Sequence, residues 1–68
     1  MKVVLYTKPG CPMCKMLKSV LDKNNIKYEL VNDIDIMIAK GFTHAPMLEV
    51  DGKYMNLSEA RRWAEEQK

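Results

Sequence analysis

The residues best equipped for covalent chemistry in this chain are two cysteines, Cys11 and Cys14, separated by a proline and a methionine. Only about 3% of position pairs in a chain this short share that separation, so the spacing carries information. Two cysteines are too few for the disulfide scaffold of a small secreted domain. With a single histidine, His44, they are also too few for a closed structural zinc site. The chemistry the pair suits is thiol–disulfide exchange, in which a thiolate attacks a disulfide sulfur and a second thiol resolves the mixed disulfide. The plainer alternative, two inert buried cysteines, fits poorly with a C-x-x-C pair at a strand-to-helix junction.

That junction is read from the flanking residues. Lys2 to Tyr6 form a short apolar, β-branched run that reads as a strand, and Lys8-Pro9-Gly10 reads as a turn. From Pro12 to about Asn24 the period changes: Met13, Met16, Leu17, Val20 and Leu21 fall on one helical face. Proline is favoured at the first helical position, so Cys11 is expected to be the N-cap. Its sulfur then faces unpaired backbone N–H groups and the positive end of the helix dipole, both of which favour a thiolate. Such settings lower a cysteine pKa from about 8.5 toward roughly 3.5–7.5. Lys8 and Lys15 are expected to add to the effect by charge. Cys14, in the first turn, lies on the same side of the helix, close enough for a disulfide. It begins the apolar face and is expected to be more buried, with a higher pKa. Cys11 is therefore the expected nucleophile, Cys14 the resolving thiol, and the pair is expected at the surface.

Further along, Ile26, Tyr28 and Leu30 alternate with Lys27 and Glu29 as a second strand. Residues Asp33 to Lys40 fit either an alternating strand or a helical face through Ile34, Met37, Ile38 and Phe42. A short helix is favoured, capped by Asn32 or Asp33 and stopped by Gly41. Met47 to Val50 and Lys53 to Met55 read as strands joined by an Asp51-Gly52 hairpin. Asn56 or Ser58 is a candidate cap for a last helix with Ala60, Trp63 and Ala64 inward. The order β-α-β-α-β-β-α implies an α/β fold: one parallel crossover, one hairpin, and a four-stranded mixed sheet with helices on both faces. Pro46 opens the third strand. Spacing alone favours an ordinary trans proline there, although a cis bond would also explain it.

Composition narrows the function. The chain has 68 residues, which suits a single domain over 1–68. Its apolar fraction of 47% argues against disorder. Eleven basic and nine acidic residues leave a net charge of +2, too weak and too dispersed for a nucleic-acid binder. No apolar run is long enough for a membrane span or a signal peptide, so a cytoplasmic location is expected. The methionines at 16, 37, 47 and 55 are read mainly as core filling. Met13 is expected exposed beside Cys11. His44 reads as an exposed loop residue in preference to a charge near Cys11, and Trp63 as a core anchor.

The stretch Tyr6-Thr7-Lys8-Pro9-Gly10-Cys11-Pro12-Met13-Cys14-Lys15 resembles the Tyr-(Thr/Ser)-Lys-Pro-x-Cys-Pro-Tyr-Cys motif of dithiol glutaredoxins. Gly41-Phe42-Thr43-His44-Ala45-Pro46, followed by Asp51-Gly52, resembles a second redoxin pattern. The chain is thereby similar, over nearly its whole length, to the glutaredoxin and NrdH-type redoxin branch of the thioredoxin superfamily. The resemblance implies a thioredoxin-like fold and a monomer that reduces protein disulfides or glutathione mixed disulfides. Ribonucleotide reductase is an implied client. It implies that Pro46 is cis and sits beside Cys11, and that the Ala45 backbone pairs with substrate. Substrate contacts are expected at Lys8, Pro12, Met13, Ala45 and Pro46. No bound cofactor or metal is expected, and the electron donor is glutathione or a thioredoxin reductase. Met13 stands where glutaredoxins have tyrosine. The Gly-Gly pair they carry before the last helix is replaced by Tyr54-Met55-Asn56-Leu57-Ser58-Glu59. Ala45-Pro46 looks more like the NrdH-type branch, but that branch's tryptophan-serine-glycine-phenylalanine stretch is missing.

A soft-metal module, such as a copper chaperone, is the alternative: two thiolates suit Cu(I) or zinc. Such domains resemble β-α-β-β-α-β and end in a strand, whereas this chain ends in a helical pattern. Bridging an iron–sulfur cluster with glutathione resembles a minority activity of glutaredoxins.

Overall fold

The computed structural model describes residues 1–42 and 44–67. Thr43, part of the second motif, and Lys68 lie outside the described residues. The elements run β1 (Val3–Tyr6), α1 (Pro12–Lys23), β2 (Glu29–Val31), α2 (Ile34–Ala39), β3 (Met47–Val50), β4 (Lys53–Met55) and α3 (Leu57–Glu66). This is the expected order. The sheet runs β2-β1-β3-β4. β1 pairs parallel with β2 and antiparallel with β3, and β3 pairs antiparallel with β4.

β1 is the central element and is buried on both faces. Val3 and Leu5 point toward α1 and α3, meeting Leu17, Leu21, Leu48, Ala60 and Ala64. Val4 and Tyr6 point the other way, toward Met37 of α2. Ala60 and Ala64 are fully buried, and these small residues let α3 lie close to α1. Trp63 packs half-buried against the same core, as expected of an anchor.

The turns explain the element boundaries. α1 ends in a Schellman motif: Asn25 takes a positive φ of 58°, and the Ile26 N–H donates to the Leu21 carbonyl at 3.0 Å. That bond commits the Ile26 backbone to closing the helix, so β2 starts at Glu29 rather than near Ile26. Ile26 and Tyr28 still pack on the core. α2 ends the same way around Gly41, where the Phe42 N–H reaches the Met37 carbonyl at 3.0 Å. The 33–40 segment is thus a helix, with Asp33 as its cap. Asn56 caps α3, its side chain accepting from the Glu59 N–H while Glu59 accepts from the Asn56 N–H.

Three expectations of burial need correcting. Met16 is 42% exposed, because the helix turns Cys14, Leu17 and Leu21 onto the core instead, while Met13 is exposed as expected. On α2 only Met37 is buried; Ile34 and Ile38 stay exposed because the six-residue helix covers the sheet with one turn's face. Leu30 points to the α1 side but sits on the edge strand β2, where α1 leaves it 48% exposed. No helix among the described residues is long and apolar enough to cross a membrane.

Candidate active site

The end of β1 delivers the chain to the site. The Thr7 N–H donates to the Val31 carbonyl at 2.8 Å, which ties the start of the loop to β2. The backbone then turns at Gly10, whose φ of +70° suits glycine and strains a residue with a side chain. Cys11 follows in extended conformation as the N-cap of α1, and Pro12 occupies the first helical position. The Cys14 N–H donates to Cys11 Sγ at 3.2 Å. A sulfur therefore fills the capping role usually played by an oxygen, and a negative sulfur fills it better than a neutral one.

The two thiols are reduced and electrostatically unequal. For Cys11, burial opposes the thiolate. It is outweighed by hydrogen bonds from the Cys14 thiol and backbone, by the Lys8 charge and by the Met13 N–H, so its pKa is lowered. For Cys14, burial and the hydrogen bond to Cys11 push the pKa up to about 11. The charge that helps Cys11 comes from Lys8. Lys15, expected to share that role, lies instead along the wall of a neighbouring cavity. The expectation of an exposed pair is also corrected. Cys11 is only 8% exposed and Cys14 4%, because the Ala45 carbonyl lies over Cys11 Sγ and α1 turns Cys14 inward with Leu17 and Leu21. Cys14 is the more buried, but by little.

This asymmetry sets a pH profile. A lowered Cys11 pKa means a larger thiolate fraction at neutral pH, so alkylation by iodoacetamide should rise through a first step below pH 9. A second step should follow near pH 11 as Cys14 ionises. Mass mapping should place the first label on Cys11. A single step with both cysteines labelled together would contradict the unequal pair.

The Ala45–Pro46 peptide bond is cis, against the trans form that spacing alone favours. Pro46 is buried and Ala45 half-buried, with the Ala45 carbonyl 4.0 Å from Cys11 Sγ. Segments more than thirty residues apart in sequence thus meet at the sulfur. Met13 borders a groove of about 230 Å³ that runs past Ala45 and Pro46 to Asn56, Leu57 and Ser58 at the start of α3. Pro12 is exposed beside it. Lys8 stands on the other side, bordering both a cavity at the sulfurs and a groove toward Ile34 and Phe42. His44 is exposed and borders two of these depressions. The structure therefore gathers Lys8, Pro12, Met13, Ala45 and Pro46 around Cys11.

It also adds residues that sequence reasoning missed. Lys18 and Leu30 line the cavity that reaches both cysteines. Lys18 was findable, since it lies seven positions after Cys11 on the same helical stripe; Leu30 was not, because its position depends on the β1–β2 register. Among the described residues, no group of three or more His, Cys, Asp or Glu side chains comes together to hold a metal ion.

A family model for glutaredoxin matches residues 3–55, well over half of the chain. Among solved structures, the crystal structure of a thioredoxin-like protein bearing a single substitution is similar, with a TM-score of 0.70 and 26% sequence identity. The match covers 81% of this chain and 84% of that one. No curated protein matches the sequence.

Proposed function

The chain belongs to the glutaredoxin family, and from that premise we propose that it is a dithiol thiol–disulfide oxidoreductase working through Cys11 and Cys14. One observation carries the reading: Cys11 Sγ caps α1, accepting the Cys14 N–H at 3.2 Å, in a pair whose pKa values are driven in opposite directions.

The steps follow from that geometry. Cys11 thiolate attacks one sulfur of a substrate disulfide. The substrate S–S bond breaks, a new bond forms to Cys11 Sγ, and the other substrate sulfur leaves as a thiolate. Cys14 then loses its proton to the departing thiolate and attacks Cys11 Sγ. The second substrate thiol is released, the substrate gains two electrons, and Cys11 and Cys14 become a disulfide. The high pKa of Cys14 keeps it protonated until this second step. The half-buried Ala45 backbone beside the sulfur supports a role in aligning an extended substrate strand, and Met13 offers it an apolar contact.

Regeneration needs an external two-electron donor, either glutathione or a thioredoxin reductase. The start of α3 favours the reductase. Where glutaredoxins carry a Gly-Gly pair that helps hold glutathione, the Asn56–Glu59 capping box here already satisfies two of the helix-end N–H groups. A coupled assay on one disulfide substrate tests this. Turnover with thioredoxin reductase and little with glutathione plus glutathione reductase is expected; the reverse assigns glutathione as donor. Clients are protein disulfides, with ribonucleotide reductase a candidate by family analogy. A soft-metal module draws little support, since the chain closes on α3 rather than a strand.

A further inference from the structure

The cavity that reaches both sulfurs lies on the far side of α1 from the Met13 groove. It has a volume of about 220 Å³ and is lined by Lys8, Lys15, Lys18 and Leu30 as well as by Cys11 and Cys14. Every charged side chain on its wall is a lysine, and all three lysines are exposed. Lys15 and Lys18 continue the helical stripe that begins at Cys11, so their charges run outward from the nucleophile. Asp22, the acid next along that stripe, accepts a hydrogen bond from the Tyr28 hydroxyl at 3.2 Å. The chain as a whole carries only +2. The positive field is therefore a local feature of the reaction site and not a property of the surface in general.

Resting on the dithiol reading above, we propose that this lysine-walled cavity selects protein disulfides flanked by acidic residues. Its volume is below the roughly 300–1,000 Å³ of sites that enclose a whole small molecule, so it suits one or two side chains of a docked polypeptide. Leu30 provides an apolar floor for the stem of a glutamate, and the lysines meet its carboxylate. Selection of this kind acts mainly on the encounter rate and fades with salt. It also offsets a problem inherent in the chemistry. An acidic substrate is repelled by the Cys11 thiolate, and three lysines at the rim reverse that local field.

Two disulfide-bridged peptides of the same length, one with glutamates and one with lysines beside the cystine, test the idea. The rate of reduction by the reduced protein is divided by the rate with free dithiothreitol, which removes each peptide's intrinsic reactivity. At low salt the acidic peptide should be favoured by about tenfold, and the ratio should fall toward one as salt shortens the screening length to about 3–5 Å. A Lys15→Glu, Lys18→Glu double variant should bring the ratio to one or below. A Lys15→Gln, Lys18→Gln variant should give an intermediate value, and circular dichroism checks that both fold. Equal normalised rates at low salt, or a ratio the double variant leaves unchanged, would overturn the proposal. Failure to reduce either peptide and neutral hydroxyethyl disulfide as well would overturn the dithiol reading itself.

Discussion

Cys14→Ser is expected to stop the reaction halfway, with the substrate held on Cys11 as a mixed disulfide. Cys11 keeps its place at the helix start, because the position-14 backbone N–H that donates to its sulfur is still present. The variant can attack but cannot resolve, since a serine hydroxyl does not displace a thiol from a disulfide. Intact-mass analysis should show one substrate thiol bound per protein, removed by dithiothreitol. Cys11→Ser should reduce disulfides no faster than the uncatalysed reaction, because the remaining thiol is 4% exposed and its burial disfavours the thiolate. Near-native reductase activity in Cys11→Ser, or an adduct that maps to Cys14 in the wild type, would be incompatible with the assigned order. Cys14→Ala, which removes the side-chain donor to Cys11, should also raise the Cys11 pKa, seen as a rightward shift of the alkylation profile.

The largest effect on stability should come from Leu5→Ala. Leu5 is fully buried in the central strand, opposite Leu30 on one side and Leu48 on the other. Truncating a buried leucine costs about 2–5 kcal/mol, from lost apolar burial and from the cavity left behind. A core in a chain this short supplies only about 3–5 kcal/mol in net terms. Leu5→Ala is therefore expected to be largely unfolded at 25 °C, seen as loss of far-UV dichroism and of a cooperative urea transition. Leu30→Ala makes the same chemical change on the edge strand at a half-exposed position, and should shift stability by about 0.5 kcal/mol or less. Similar urea midpoints for the two variants would show that the sheet order is wrong.

The contrast between these leucines also marks the limit of pattern reading. Both sit at positions that alternation assigns to the same side, and both do face α1. Burial separates them because one strand has neighbours on both edges and the other has one. The α1 stripe shows the same limit: a helical period marks which residues share a face, but Met13 and Met16 lie at its margin. Only the packing of α3 and the sheet against Cys14, Leu17 and Leu21 decides where that margin falls.

What the sequence determined by itself was local. Element order, the proline at the first turn of α1, the sulfur as its cap, the Asp51-Gly52 hairpin and the Asn56 cap all follow from residues within about four positions of one another. Helix ends, turns and caps are governed by contacts of that range. What the tertiary structure decided was everything that depends on strands meeting across the sheet. β1 pairing with β3 places Ala45 and the cis Pro46 beside Cys11. β1 pairing with β2 brings Leu30 under the lysines of α1. Part of the burial of Cys11 has the same origin, since the Ala45 carbonyl beside its sulfur comes from a distant part of the chain. The reactive pair was legible as a spacing. Its surroundings, which set what it attacks, come from pairings that no local period encodes.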